Sequence, residues 1–309
     1  MQLLLPRALK SHLFIDFLSS AEEMRDCDLI EVDFKHLMLI TPGPLAALTA
    51  IVNGWVQQGK TVHFNNLHVC PISGYLQRMD FLKMCGLHLD EKFERRDSKG
   101  RFVPVQKVDH PVDKLGDEMA ECLAPGGSEH GHAMADLWDF AWYVMTETGN
   151  NVRQHSLGTG YATAQVTLAD SMVKLAIADN GKGILKTFQD AELEWSFDMS
   201  DEEAIVKALQ PRVSSKFGPN NEGVGLTLVS NFIQLTGGWL GVLSGTGLAS
   251  VKKGGSIQSL TLPHGAKYTG TLIAIAVGKE NIGEYAKLLI DAKIKAGLLE
   301  KNMHRALFE

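Results

Sequence analysis

Cysteine is scarce and scattered. The four thiols, Cys27, Cys70, Cys85 and Cys122, form no C-x-x-C pair, which argues against a disulfide framework or a zinc site and makes a reducing cytosol the expected compartment. Basic charge is not in excess either: 30 Lys and Arg stand against 36 Asp and Glu, for a formal net charge of -6. Gripping a phosphate backbone needs clustered Lys and Arg, so direct nucleic-acid binding is not expected. No apolar run approaches the ~20 residues that span a bilayer. The apolar start, Met1 to Leu5, is interrupted by Pro6 and Arg7 before it reaches the length of a signal-peptide core. A soluble, cytoplasmic protein without membrane contact is the expectation. Internal repeats and low-complexity segments are also missing.

What is present is a globular composition, with 45% hydrophobic and 21% charged residues in 309, enough for two domains with a core each. Residues 1–95 read as a small α/β unit. Leu29–Phe34 alternates as a strand, Pro44–Gln58 carries apolar residues at helical spacing, Lys60–Phe64 is a second strand, and a further helix starts at Gly74. Strand, helix, strand in this order predicts a parallel crossover. Asp33-Phe34 followed by the loop to Pro44 resembles the sulfate-transporter and anti-sigma-antagonist (STAS) fold. Regulatory members of that family carry a phosphorylatable serine where this chain has Pro42 and Gly43, which leaves Thr41 as the nearby hydroxyl.

Residues 96–132 are charged and glycine-rich and read as a structured linker, with a strand at Phe102–Val108 and a helix at Val112–Leu123. His130 and His132 sit in a glycine loop without carboxylate or thiol partners and read as solvated. A long helix is expected from about Ala133, then a hairpin of Tyr161–Leu168 and Met172–Ala178. Residues 184–222 look polar and irregular apart from a helix over Asp201–Leu209. A helix over Thr227–Leu235 and strands at Trp239–Ser244, Ser256–Leu262 and Thr271–Val277 complete residues 133–278. The 279–309 extension is amphipathic and would pack on its own domain or form a homodimer.

Three polar islands carry the chemistry. Glu147, Asn151 and His155 are four and eight residues apart, so on one α-helix they share a face that presents a carboxylate, an amide and an imidazole. Asp179-Asn-Gly181-Lys-Gly183 ends an apolar strand, which delivers an aspartate into a glycine turn. Glu222-Gly223-Val-Gly225-Leu226 opens a helix, where glycine amides suit phosphate. Singly, each has a plainer reading: an exposed helix pair, a turn-forming aspartate, a C-terminal helix cap at His155.

Together, in this order, the islands resemble the GHKL nucleotide-binding domain of gyrase, heat-shock chaperone, histidine-kinase and mismatch-repair ATPases. The resemblance covers 133–278 and adds Gly270-Thr271 as the late Gly-Thr element. It implies an α/β fold of the α+β sandwich kind, a Bergerat-type ATP-binding domain with a mixed sheet under a helical layer, with 184–222 as its lid. It implies ATP and Mg²⁺ as cofactors. Asp179 and Thr271 would hold the adenine edge, Asn151 the Mg²⁺, and Gly181, Gly183, Gly223, Gly225 and Leu226 the remaining nucleotide contacts. Glu147 would be catalytic, and Lys216 would reach the terminal phosphate unless it is a solvated surface lysine.

About 30 residues follow Val277, too few for the transducer domain of gyrase or chaperone relatives, and Pro111 disfavours a phosphoacceptor helix through His110. The expected function is thus a Mg²⁺-dependent ATPase or serine/threonine protein kinase of the anti-sigma-regulator type. It would act on a regulatory protein of the sigma-factor or antagonist kind. The alternative is an ATP-controlled switch that binds a partner without hydrolysis.

Overall fold

A computed structural model describes residues 1–95, 97–108, 111–129, 131–167, 169–216 and 223–300. His110, His130, Leu168 and Glu222, named above, lie outside the described residues. The N-terminal unit runs β1 (Gln2–Leu4), β2 (Ala8–Leu9), α1 (Ser11–Glu22), β3 (Leu29–Asp33), β4 (Leu39–Ile40), α2 (Pro42–Gln57), β5 (Thr61–Asn65), α3 (Ser73–Arg78) and α4 (Phe81–Met84). Strands β1, β3 and β5 form a parallel sheet. The parallel β3–β5 pairing across α2 is the crossover expected from strand–helix–strand order.

Next come β6 (Phe102–Lys107), α5 (Val112–Leu123), α6 (Ala135–Asn151), β7 (Gly160–Thr167), β8 (Met172–Asp179), α7 (Ile184–Asp190) and α8 (Asp201–Ala208). The chain closes with α9 (Gly225–Thr236), β9 (Trp239–Gly245), β10 (Gly247–Lys252), β11 (Gln258–Thr261), β12 (Tyr268–Gly278) and α10 (Tyr285–Lys295). Seven of these strands make one sheet in the order β11-β10-β9-β12-β8-β7-β6. Every neighbouring pair in it is antiparallel. The mixed sheet implied by the resemblance is therefore corrected to an antiparallel one within a mixed α/β fold. The tight β7–β8 and β9–β10 connections allow nothing else, since parallel neighbours need a long crossover.

Both faces of this sheet are buried. On one, Val173, Leu175, Ile177, Val242, Ile273 and Ile275 pack with Phe140, Val144, Phe232 and Ile233 of α6 and α9. On the other, Ala176, Ala178, Leu243 and Leu272 join the core of the N-terminal unit. Helix α2 makes that junction by packing on β7, β8 and β12 as well as β5. It is apolar on nearly every side, from Leu45 and Ala46 to Val52 and Trp55, and a helix of that kind has to be covered all round. Leu45 and Leu48 are completely buried, and each contributes about 1.5–3 kcal/mol. The molecule thus holds two core clusters, one on each face of the large sheet, and the cluster of the N-terminal unit takes in residues of that sheet.

The strand and helix expected within 96–132 are present as β6, at the edge of the large sheet, and α5, which packs along α6 and buries Val112, Leu115, Met119 and Leu123. The 184–222 stretch adds α7 to the helix read over Asp201–Leu209. Helix α8 starts with a capping box between Ser200 and Glu203, buries Ala204 and Ile205, and packs on β9, β10 and β11. Asp201 Oδ2 accepts from the Thr246 backbone amide and hydroxyl at 2.8 and 2.9 Å, which fastens the start of α8 to the β9–β10 turn.

Candidate functional site

Four separated segments meet at one end of the large sheet and enclose a cavity of about 370 Å³, within the roughly 300–1,000 Å³ of ligand sites. Glu147, Asn151, His155, Asp179, Gly183, Gly223, Gly225, Leu226 and Thr271 all line it, with Ser156, Ser214 and Ser215. Gly181 and Lys216 do not. Lys216 instead donates its Nζ to the Gln154 carbonyl, which ties the loop after α8 to the end of α6.

The α6 end departs from the even spacing assumed for it. After Asn151 the chain forms a π-helical turn over Val152–Ser156, then Leu157 takes φ +57° and is 81% exposed. Such turns frequently mark functional sites. Here the extra residue in the turn displaces His155 from the α-helical line through Glu147 and Asn151, yet keeps it on the cavity. Burial pulls the His155 imidazole down to about 4, helped by Lys216 and Lys182, so at neutral pH it is an uncharged acceptor or donor. Its Nδ1 lies 2.8 Å from Ser215 Oγ.

Asp179, at the end of β8, is 2% exposed. Its Oδ1 accepts from Ser156 Oγ and from the Gly181 amide, both at 2.8 Å, and the Thr271 backbone adds a third hydrogen bond. Burial nevertheless dominates and pushes the carboxyl up to about 6, with those hydrogen bonds opposing. Gly181 earns its place by packing: a methyl group there would overlap the Ser156 carbonyl and hydroxyl oxygens. Gly181→Ala should therefore destabilise the fold by about 2 kcal/mol or more through overpacking, read as a lowered midpoint in thermal unfolding; an unchanged midpoint would show that the two loops can part freely.

Helix α9 begins at Gly225 without a side-chain cap, and Gly225 and Leu226 of its first turn line the cavity. A side chain at Gly225 would overlap the Glu147 carboxylate. Glycine is what lets this helix start against that carboxylate, and burial raises the Glu147 pKa. Among the described residues no group of three or more His, Cys, Asp and Glu is placed to hold a metal ion.

Two residues escaped sequence reasoning. Ser156 follows His155 but belongs to no periodic pattern. Ser244 on β9 donates to the Gly270 carbonyl and accepts from the Ile184 amide, each at 2.9 Å, so it ties β12 to the start of α7. A third link reaches outwards. Asn180 donates to Gln57 Oε1 at 3.0 Å, Gln57 donates to Thr159 Oγ1 at 3.1 Å, and the Thr159 amide donates to Asn180 Oδ1 at 2.8 Å. The end of α2 is thereby fastened to the turn that follows Asp179. No protein-family model, curated protein or solved structure matches this chain.

Proposed function

We propose that the chain is a Mg²⁺-dependent ATP-binding regulatory protein. In this reading 133–278 is a GHKL-type domain with phosphoryl-transfer activity, and 1–95 is a STAS-like unit. The single observation that carries it is the convergence of Glu147, Asn151, Asp179, Gly223, Gly225 and Thr271 on one cavity from four separate segments. A buried carboxylate beside a β-strand backbone suits an exocyclic amine and the ring nitrogen next to it. Uncapped glycine amides at the start of a buried helix suit phosphates. Glu147, half-buried beside those amides, would take a proton from the attacking hydroxyl or water. Mg²⁺, when bound beside Asn151, would neutralise phosphate charge.

The STAS-like loop is a poor internal target. Pro42 and Gly43 are buried at the start of α2, and Thr41 is turned towards the Leu9 carbonyl at 3.4 Å. A kinase of this design would act on a hydroxyl elsewhere. The second reading, a switch that binds ATP and presents a partner surface, is favoured by the Gln57–Asn180–Thr159 link, through which the base-binding turn and the N-terminal unit bear on each other.

Calorimetric titration with ADP and Mg²⁺ tests the shared premise; micromolar binding of ADP but not GDP is expected, and no binding would overturn both readings. Labelled ATP with cell extract then separates them. Label in another protein marks a kinase, free phosphate an ATPase, and neither a switch.

A further inference from the structure

The pair made by Ser215 and His155 has no task in nucleotide binding as described above. Ser215 Oγ is within hydrogen-bond distance of His155 Nδ1, 2.8 Å away, and both residues line the cavity that Gly223, Gly225 and Glu147 also line. Its neighbour Ser214 is occupied locally: Ser214 Oγ donates to the Lys216 carbonyl at 2.8 Å and accepts from the Lys216 amide at 3.1 Å. The loop itself is held by the Lys216–Gln154 hydrogen bond. One hydroxyl, aimed at an imidazole and set in the cavity wall, is the arrangement of an activated nucleophile.

We propose that Ser215 is a phosphorylation site filled by the protein's own nucleotide, with His155 as the base that takes its proton. The inference rests on the ATP-binding reading and deepens it. In the step, the Ser215 Oγ–phosphorus bond forms as the bond from the γ-phosphorus to the β,γ-bridging oxygen breaks. ADP leaves with that electron pair, and the hydroxyl proton passes to His155 Nδ1. At neutral pH the buried imidazole is uncharged, and the 2.8 Å separation puts its Nδ1 within reach of the Ser215 hydroxyl proton.

The test uses the full chain, first treated with phosphatase and then incubated with Mg²⁺ and ATP, with phosphate located by peptide mass spectrometry. One phosphate is expected, on Ser215, appearing at a rate independent of protein concentration. Ser215→Ala should abolish it, Ser215→Thr should restore it on the new threonine, and His155→Asn should slow it about a hundredfold. Calorimetry with ADP on the same sample separates the two possible failures. If ADP binds and Ser215 stays unmodified, or phosphate lands on another residue, the inference is overturned and the nucleotide site stands. If ADP does not bind, both fall together.

Discussion

Asp179→Asn should weaken ADP binding about thirty- to a hundredfold by calorimetry. A hydrogen bond to a charged group contributes about 2–3 kcal/mol, and about 1.4 kcal/mol is a factor of ten. The substitution keeps the shape of the side chain, so the Ser156 and Gly181 contacts retain an oxygen acceptor while the charge is lost. The wild-type affinity should also rise with pH through about 6, where the buried carboxyl ionises, and the Asn variant should lose that dependence. An Asn variant with wild-type affinity would place the adenine edge elsewhere.

The same group leaves a mark on the stability of the empty protein. Its native pKa, about 6, lies above the ordinary 3.8, so the native state holds this proton more tightly than the unfolded chain does. That contribution is full below about pH 4 and is lost as pH rises through about 6, roughly 3 kcal/mol in total. His155 works in the opposite sense. Its native value, about 4, lies below 6.5, so its contribution is present at neutral pH and is lost as pH falls towards 4. The two slopes oppose one another in the wild type. Asp179→Asn removes the larger opposing slope and leaves the smaller one of Glu147, so in denaturant unfolding the variant's stability should rise more with pH between about 4 and 6.5 than that of the wild type.

Glu147→Gln is the second large effect. Turnover of ATP should fall by about 10²–10⁴, the usual loss when a positioned base is removed, with ADP affinity changed only a few-fold. The Glu147 carboxylate occupies the space that a side chain at Gly225 would need. It therefore sits against the helix start proposed to hold phosphate, not against the base-binding end marked by Asp179. Burial raises its pKa, which strengthens it as a base and places an acidic limb on the wild-type rate profile. That limb should vanish in the Gln variant. Unchanged turnover would remove Glu147 from the chemistry and leave the switch reading.

Period-two alternation made the β7–β8 hairpin legible, and the apolar spacing of Pro44–Gln58 did the same for α2. Strand β10 was not legible, because Gly247 to Lys252 contains small residues and only two large apolar ones, too few to show a period. The packing of α8 was hidden as well, since eight residues with three acidic ones in the first turn show no broad apolar face. Its burial depends on β10 and β11 arriving beside it from fifty residues away. The π-helical turn after Asn151 leaves no trace in a hydrophobic pattern, since Arg153, Gln154 and His155 are polar in either geometry.

What the sequence determined by itself is local: which stretches form strands and helices, and which short polar islands break them. The order of Glu147, Asp179, Gly225 and Thr271 along the chain is of the same kind. Tertiary structure alone decided that these islands share a cavity, that Ser156 and Ser244 brace it, and that α2 closes the second face of the sheet. The physical reason is range. Backbone propensity and hydrophobic period act over a few residues, whereas the protonation of Asp179, the neutrality of His155 and the reach of Ser215 depend on burial and hydrogen bonds from distant segments. Those exist only once the chain has closed on itself.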